Sequence, residues 1–347
     1  EEFINAGFNV SELKDLSELT KADGAFDLPD MIVYMPALNE NDTANMVKAR
    51  AAGTYFVSYM KKSLCGRIGK ENNLYSKEMK LYAGADGVIC PTAADEEIIK
   101  RAGIPACRFE KKISLKEGRV ISSLKRPDIV WTGRLDDPDN NLTDAFEILR
   151  EVRKGFPETR LIVFGRSADD TFQSRIDGEI SFQNVEGAVI FAEDETRFAE
   201  YASEASVYLS TASCQALDAG FEKAITFGLP IVAYEIPGNP YLEDPNISIS
   251  VGSGDRLAAI NAVTALFEHP EIKAFLGKNA GSWVQRDKSG DIAERLRSFC
   301  ASVKNEAPAD CESDQKSEVC DVLLKVIDRL TEQNRIDKEY LMQQIKE

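Results

Sequence analysis

From residue 126 to about 300, short apolar runs alternate with amphipathic stretches, and few architectures accommodate that alternation. The runs Ile129–Thr132, Leu161–Phe164, Val189–Phe191, Val207–Ser210, Ile231–Tyr234 and Ile247–Val251 read as strands. Between the first two, Leu142, Phe146, Leu149 and Val152 recur at helical spacing. Asn140 or Asn141 is placed to cap that helix, and Gly155 and Pro157 stop it. A second helix is expected from about Phe221 to Phe227, ending at Gly228-Leu229-Pro230. Strands joined by helices in this way make a doubly wound parallel sheet, whose ligand crevice lies beyond the carboxyl ends of the strands.

Residues 1–125 repeat the pattern more weakly. Met31–Tyr34, Tyr55–Tyr59 and Gly87–Cys90 read as strands, with Cys107–Phe109 as a fourth. Thr92, three residues before Asp95, caps a helix that ends near Gly103. The opening Phe3–Phe8 has the character of a helix end whose preceding strand is missing, so this domain is expected to be short or truncated. The absence of an initiator Met agrees with a piece of a longer chain. After Val303 the composition shifts: residues 305–316 carry Pro308 and four acids and read as a linker. Residues 317–347 follow as a C-terminal helix presenting Val319, Leu323, Val326, Ile327 and Leu330, either to the body of the protein or to a protein partner. The expected division is therefore 1–125, 126–304, linker 305–316 and helix 317–347, in keeping with two domains for 347 residues.

Charge narrows the function. With 42 Lys and Arg against 58 Asp and Glu, the formal net charge is −16, which argues against a general phosphate-backbone binder and so against nucleic acid. No run approaches the roughly 18 apolar residues of a membrane span. Glu1-Glu2 gives no sign of a signal peptide. Cysteines stand at 65, 90, 107, 214, 300, 311 and 320, an odd number without a CxxC pair, so reduced thiols in the cytoplasm are expected. The sole histidine, His269, precedes Pro270 at a helix end, far from any candidate nucleophile, and reads as a structural or surface residue. Neither a metal nor a cofactor is expected.

Three patterns carry chemistry. Trp131-Thr132-Gly133-Arg134-Leu135 is a strand running into a glycine turn that presents an arginine, and Leu161–Phe164 runs into Gly165. The third extends from Tyr208-Leu209-Ser210-Thr211 through the helix around Phe221 to Gly228-Leu229-Pro230-Ile231-Val232-Ala233-Tyr234. In order, spacing and wording these resemble the C-terminal half of group-1 glycosyltransferases of the GT-B fold (glycosyltransferase family 4). Gly84–Thr92 is similar to the last full strand of that family's N-terminal domain, and Phe267–Val284 to its closing helix pair.

The resemblance implies two Rossmann-like α/β domains and transfer of a sugar from a nucleotide-sugar donor to a glycan, lipid-linked or protein acceptor. Anomeric retention without a metal is typical of such enzymes. A diphosphate leaving group needs cations and oriented backbone N–H groups. The donor-binding candidates are Gly133, Arg134, Gly165, Arg166, Gln215, Glu222 and Lys223; catalytic residues are not assigned. Asp136 or Asp137 offers Arg134 an alternative partner. The family's phosphate-binding lysine is expected between Asp136 and Asn141, where the sequence is Asp-Asp-Pro-Asp-Asn-Asn. Its two glutamates fall on Gln215 and Lys223, with Glu222 in the second place only if the helix shifts by one residue. Arg166 and Lys223 are the available replacements for the missing cation. The departures also suit a GT-B module that has lost catalysis and serves as a binding or partner subunit.

Overall fold

The computed structural model describes residues 2–12, 28–34, 48–60, 63–64, 82–109, 120–166, 170–192, 197–213, 219–236, 239, 241–283 and 289–305. The expected linker 305–316, except Asn305, and the expected C-terminal helix 317–347 lie outside these residues, as do Cys65, Cys214, Cys311 and Cys320. Two compact units emerge: Glu1–Lys111 with Ser289–Glu347, and Lys112–Lys288.

The first unit contains strands β1 (Met31–Tyr34), β2 (Tyr55–Tyr59), β3 (Gly87–Cys90) and β4 (Ala106–Arg108), all parallel and in sequential order. Helices α1 (Glu2–Asn5) and α2 (Ala93–Arg101) belong to it. The strand pleat sends Val88 and Cys90 to one face, against Ile98 and Ile99 of α2, and Ile89 to the other. At the start of α2, Thr92 Oγ1 accepts from Asp95 N at 3.1 Å. The buried Asp95 carboxylate accepts from Thr92 Oγ1 at 2.7 Å and from Leu64 N at 2.9 Å, which ties Leu64 to this cap.

The second unit contains β5 (Asp128–Thr132), β6 (Arg160–Phe164), β7 (Val189–Phe191), β8 (Val207–Ser210), β9 (Ile231–Tyr234) and β10 (Ser248–Val251). They form one parallel sheet in the order β10-β9-β8-β5-β6-β7. Its helices are α3 (Leu142–Val152), α4 (Asp170–Gln183), α5 (Phe198–Ala202), α6 (Ala219–Thr226), α7 (Arg256–Glu268) and α8 (Pro270–Trp283). Helices α3, α4 and α7 cover Ile129, Trp131, Leu161, Val163 and Leu209. Helices α5 and α6, with the end of α8, cover Val130, Ile162, Phe164, Tyr208 and Ile231. Burial on both faces explains why the central strands β5, β6, β8 and β9 read as continuous apolar runs. The winding reverses between β5 and β8, which is the topological switch point of a doubly wound sheet.

The units divide at 111/112 and 288/289 rather than at 125 and 304. Two sets of contacts account for the difference. Ser122 N donates to Phe227 O at 2.8 Å and Arg126 N to Glu204 O at 2.9 Å, so the strap before β5 belongs to the second unit. Helix α9 (Ser289–Asn305) turns Ile292, Leu296, Phe299 and Val303 onto Val57, Ile89 and Cys107 of the first. A Cβ at Gly87 would come within 2.7 Å of Val303 Cγ2, so a glycine is what lets this helix lie on β3. Asn141 precedes α3 with φ +47° and makes no side-chain bond to the helix, so neither asparagine caps it in the usual way. His269 ends α7 at the surface, 3.3 Å from Glu271. Among the described residues no helix is long and apolar enough to cross a membrane.

Candidate functional site

At the carboxyl end of the second sheet, β5 and β6 continue side by side beyond their last strand residues. Gly133 N donates to Phe164 O at 3.0 Å and Leu135 N to Arg166 O at 3.2 Å. This crossing requires glycines: a Cβ at Gly165 would fall on the Gly133 carbonyl oxygen, and one at Gly133 would lie 2.7 Å from the Trp131 ring. On the other side of β5, Thr132 Oγ1 and Tyr208 Oη share a 2.7 Å hydrogen bond. A Cβ at Gly220 would collide with both hydroxyls, so the first turn of α6 rests directly on them. The loop after β5, the loop after β6 and the amino end of α6 therefore meet at the switch point.

The acidic stretch 136–141 is a built turn. Asp137 Oδ1 accepts from Asp139 N at 3.1 Å and opens a 3-10 turn, Pro138–Asn140. That turn is strapped to the end of β8: Thr211 Oγ1 donates to Asn140 O at 2.6 Å, Asn141 Nδ2 to Thr211 O at 2.9 Å, and Ser213 N to Asp139 O at 3.0 Å. The buried Trp131 completes it, its Nε1 donating to Thr211 Oγ1 at 2.9 Å. Asn140 Nδ2 also holds the Arg134 carbonyl at 2.9 Å.

Of the candidate side chains, Arg134 is exposed and pairs with Asp136 through two hydrogen bonds, Nε to Oδ1 at 3.2 Å and Nη2 to Oδ2 at 2.9 Å. These bonds and the carboxylate charge hold the guanidinium above its ordinary pKa. Arg166 is exposed at the end of β6, with no side-chain hydrogen bond or ion pair among the described residues. Lys223, on the second turn of α6, has its ammonium 5.3 Å from the centre of the Phe198 ring, a cation–π contact. Its neighbour Glu222 is half-buried. Gln215 lies outside the described residues. The structure thus gathers Gly133, Arg134, Gly165 and Arg166 at adjoining strand ends, and sets Glu222 and Lys223 on α6.

Sequence patterning placed Thr211 in the third pattern but did not show that Thr211 and Ser213 strap the acidic turn, since nothing in a serine or threonine at a strand end names its distant partner. Nor did it show the bond made by Tyr234 at the end of β9, whose Oη donates to Asp144 Oδ2 at 2.7 Å and so fixes the first turn of α3. Burial, followed by that bond, raises the tyrosine pKa far above its ordinary value. Arg256 Nη1 binds the other Asp144 oxygen at 3.3 Å. Among the described residues no cluster of His, Cys, Asp and Glu is arranged to hold a metal ion.

Residues 126–269 match the family of group 1 glycosyl transferases. No curated protein matches the chain in sequence. Among solved structures, a variant of TarM from S. aureus superposes with a TM-score of 0.63 at 14% identity, over 75% of this chain and 53% of TarM. This chain thus spans about half the length of TarM. HepE from Anabaena, solved with UDP and glucose, gives 0.62 at 15% identity over 79% of this chain and 78% of HepE. Sucrose-phosphate synthase from Thermosynechococcus elongatus gives 0.60 at 17% identity over 79% and 73%. At these identities the likeness is one of fold. The segment 126–269 therefore carries the group 1 glycosyl transferase pattern, in a chain built from α/β units of the GT-B type.

Proposed function

We propose that the chain is a glycosyltransferase whose second unit binds a nucleoside-diphosphate sugar in the crevice beyond β5, β6 and β8. The observation that carries this reading is the winding reversal between β5 and β8 with Gly133-Arg134 at its lip, inside the segment that matches the family. In this role Arg134 and Arg166 bind the diphosphate oxygens. The glycines at 133 and 165 keep the backbone low under the ligand. The amino end of α6 contributes oriented N–H groups, Gln215 and Glu222 stand where the family places its two acids, and Lys223 supplies a further cation from the α6 side. The complexes of HepE with UDP and glucose and of TarM with UDP support a uridine diphosphate sugar as the first donor to test. The reaction is transfer of a hexose with retention, without a bound metal, in the cytoplasm, to a glycan, lipid-linked or protein acceptor.

A charge-assisted contact to phosphate is worth about 1.5–3 kcal/mol. Replacing Arg134 or Arg166 with Ala is therefore expected to weaken UDP binding roughly tenfold or more in calorimetry. Unchanged affinity in both variants rejects the clamp. A second reading, a GT-B module without catalysis, draws on Lys223 lying over Phe198 where the family has an acid. Release of hexose from a panel of nucleotide sugars separates the two: turnover supports the enzyme. Retained UDP binding with no turnover, together with stable association with a second protein, supports the module.

A further inference from the structure

The arginine proposed to meet the diphosphate is already occupied. Its Nε and Nη2 each donate to one oxygen of the same Asp136 carboxylate, at 3.2 and 2.9 Å. A carboxylate bound through two oxygens takes the guanidinium edge and the fork geometry that a phosphate would use. The two partners differ in freedom, since the Asp136 side chain is 17% exposed and that of Arg134 63%. The backbone around them is fixed as well. Asn140 Nδ2 holds the Arg134 carbonyl, and Leu135 N donates to Arg166 O. The turn that follows is strapped to Thr211 and Ser213.

We infer that Asp136 is an internal competitor for the donor diphosphate, a carboxylate that pairs with Arg134 and sets how tightly nucleotides bind. An incoming diphosphate must break two hydrogen bonds and then lie beside the released carboxylate. When the spent nucleotide leaves, the carboxylate returns to the guanidinium and favours its departure. The acids at 136–139 are then part of how the site is tuned, not merely a lost lysine. The inference rests on Arg134 as a phosphate ligand, and the experiment tests the two separately.

UDP binding to the full chain is measured by calorimetry for the wild type, Asp136→Asn, Asp136→Ser and Arg134→Ala, with thermal melts to confirm folding. Loss of the competing pair and of the nearby negative charge is expected to tighten binding about 5- to 30-fold in Asp136→Asn, about 1–2 kcal/mol by RT ln of that ratio. Asp136→Ser is expected to move the same way, and serves as the test if the asparagine variant does not fold. Arg134→Ala is expected to weaken binding. Equal or weaker binding in folded Asp136 variants, with Arg134→Ala still weakened, overturns the competitor and leaves the donor site standing. Wild-type affinity in Arg134→Ala overturns both. Binding seen only in the Asp136 variants upholds the competitor in its strongest form. No binding in any folded form rejects both.

Discussion

At Gly165 a single methyl group is expected to damage both fold and site. An alanine Cβ there would fall on the backbone carbonyl oxygen of Gly133 and come within 3.1 Å of Leu135 Cδ2. A side chain could swing away, but a backbone carbonyl in the paired extensions of β5 and β6 cannot, so the two chains must part. Overpacking of this kind costs about 1–3 kcal/mol. Parting them also strains Gly133 N to Phe164 O and Leu135 N to Arg166 O, each worth about 0.5–1.5 kcal/mol net. The expected destabilisation of Gly165→Ala is about 2–6 kcal/mol, against the 5–15 kcal/mol typical of a domain. At about 2–4 °C per kcal/mol for a unit of this size, the Tm should fall by about 5–20 °C. Urea titration followed by circular dichroism gives the free energy directly. Gly178→Ala is the control: it lies in α4, its Cβ would meet nothing within 4 Å, and it should stabilise by about 0.5–1 kcal/mol. If Gly165→Ala unfolds within 1 kcal/mol of the wild type, the close-approach argument is wrong.

Tyr234→Phe removes the donor to Asp144 and should cost about 1–2 kcal/mol in urea unfolding; a change under about 0.5 kcal/mol would show that Arg256 alone anchors α3. Thr211→Val strips the donor from Asn140 O and the acceptor from Trp131 Nε1, at about 2–4 kcal/mol, and should speed amide exchange across 136–141; unchanged exchange would remove the strap from the account. Burial raises the Cys107 thiol from its ordinary value near 9 to about 11, so iodoacetamide at pH 8 should label it only after unfolding, as mapped by mass spectrometry. Because the folded pKa is the higher one, Cys107 lowers stability as pH rises from 9 toward 11. Labelling in the native protein at the rate of a free thiol would contradict its burial.

The six strands of the second unit were legible to within a residue, the central β5, β6, β8 and β9 because they are buried on both faces and leave apolar runs, the edge strands β7 and β10 by their short length between turn residues. Gly133 and Gly165 were legible as glycines that end such runs, but the close backbone approach that requires them shows only once β5 and β6 are side by side. Helix α9 was different. Its apolar stripe of Ile292, Leu296, Phe299 and Val303 shows that it must bury a face but does not name the sheet, and Gly87, which admits it, lies some two hundred residues earlier. The acidic turn was legible only as charge. Its bonds to Thr211 and Ser213 join positions some seventy residues apart through small polar side chains that have no period. Lys223 was marked as a departure from the family, but its place over Phe198 depends on how α5 and α6 pack.

That α9 belongs with β1–β4 has a consequence for how the protein is made. The first unit is discontinuous in sequence, whereas the second, Lys112–Lys288, is one uninterrupted segment. As the chain is synthesised, β4 is complete roughly 180 residues before α9 begins. At about 5–20 residues per second, one face of the first sheet waits about 10–35 s for its cover. Val57, Ile89 and Cys107 stay open to solvent or to a chaperone in that interval. The segment made first is thus expected to finish folding last. Ribosome-bound chains stopped before and after Val303 should differ in protease resistance within residues 55–108, and little within 126–283.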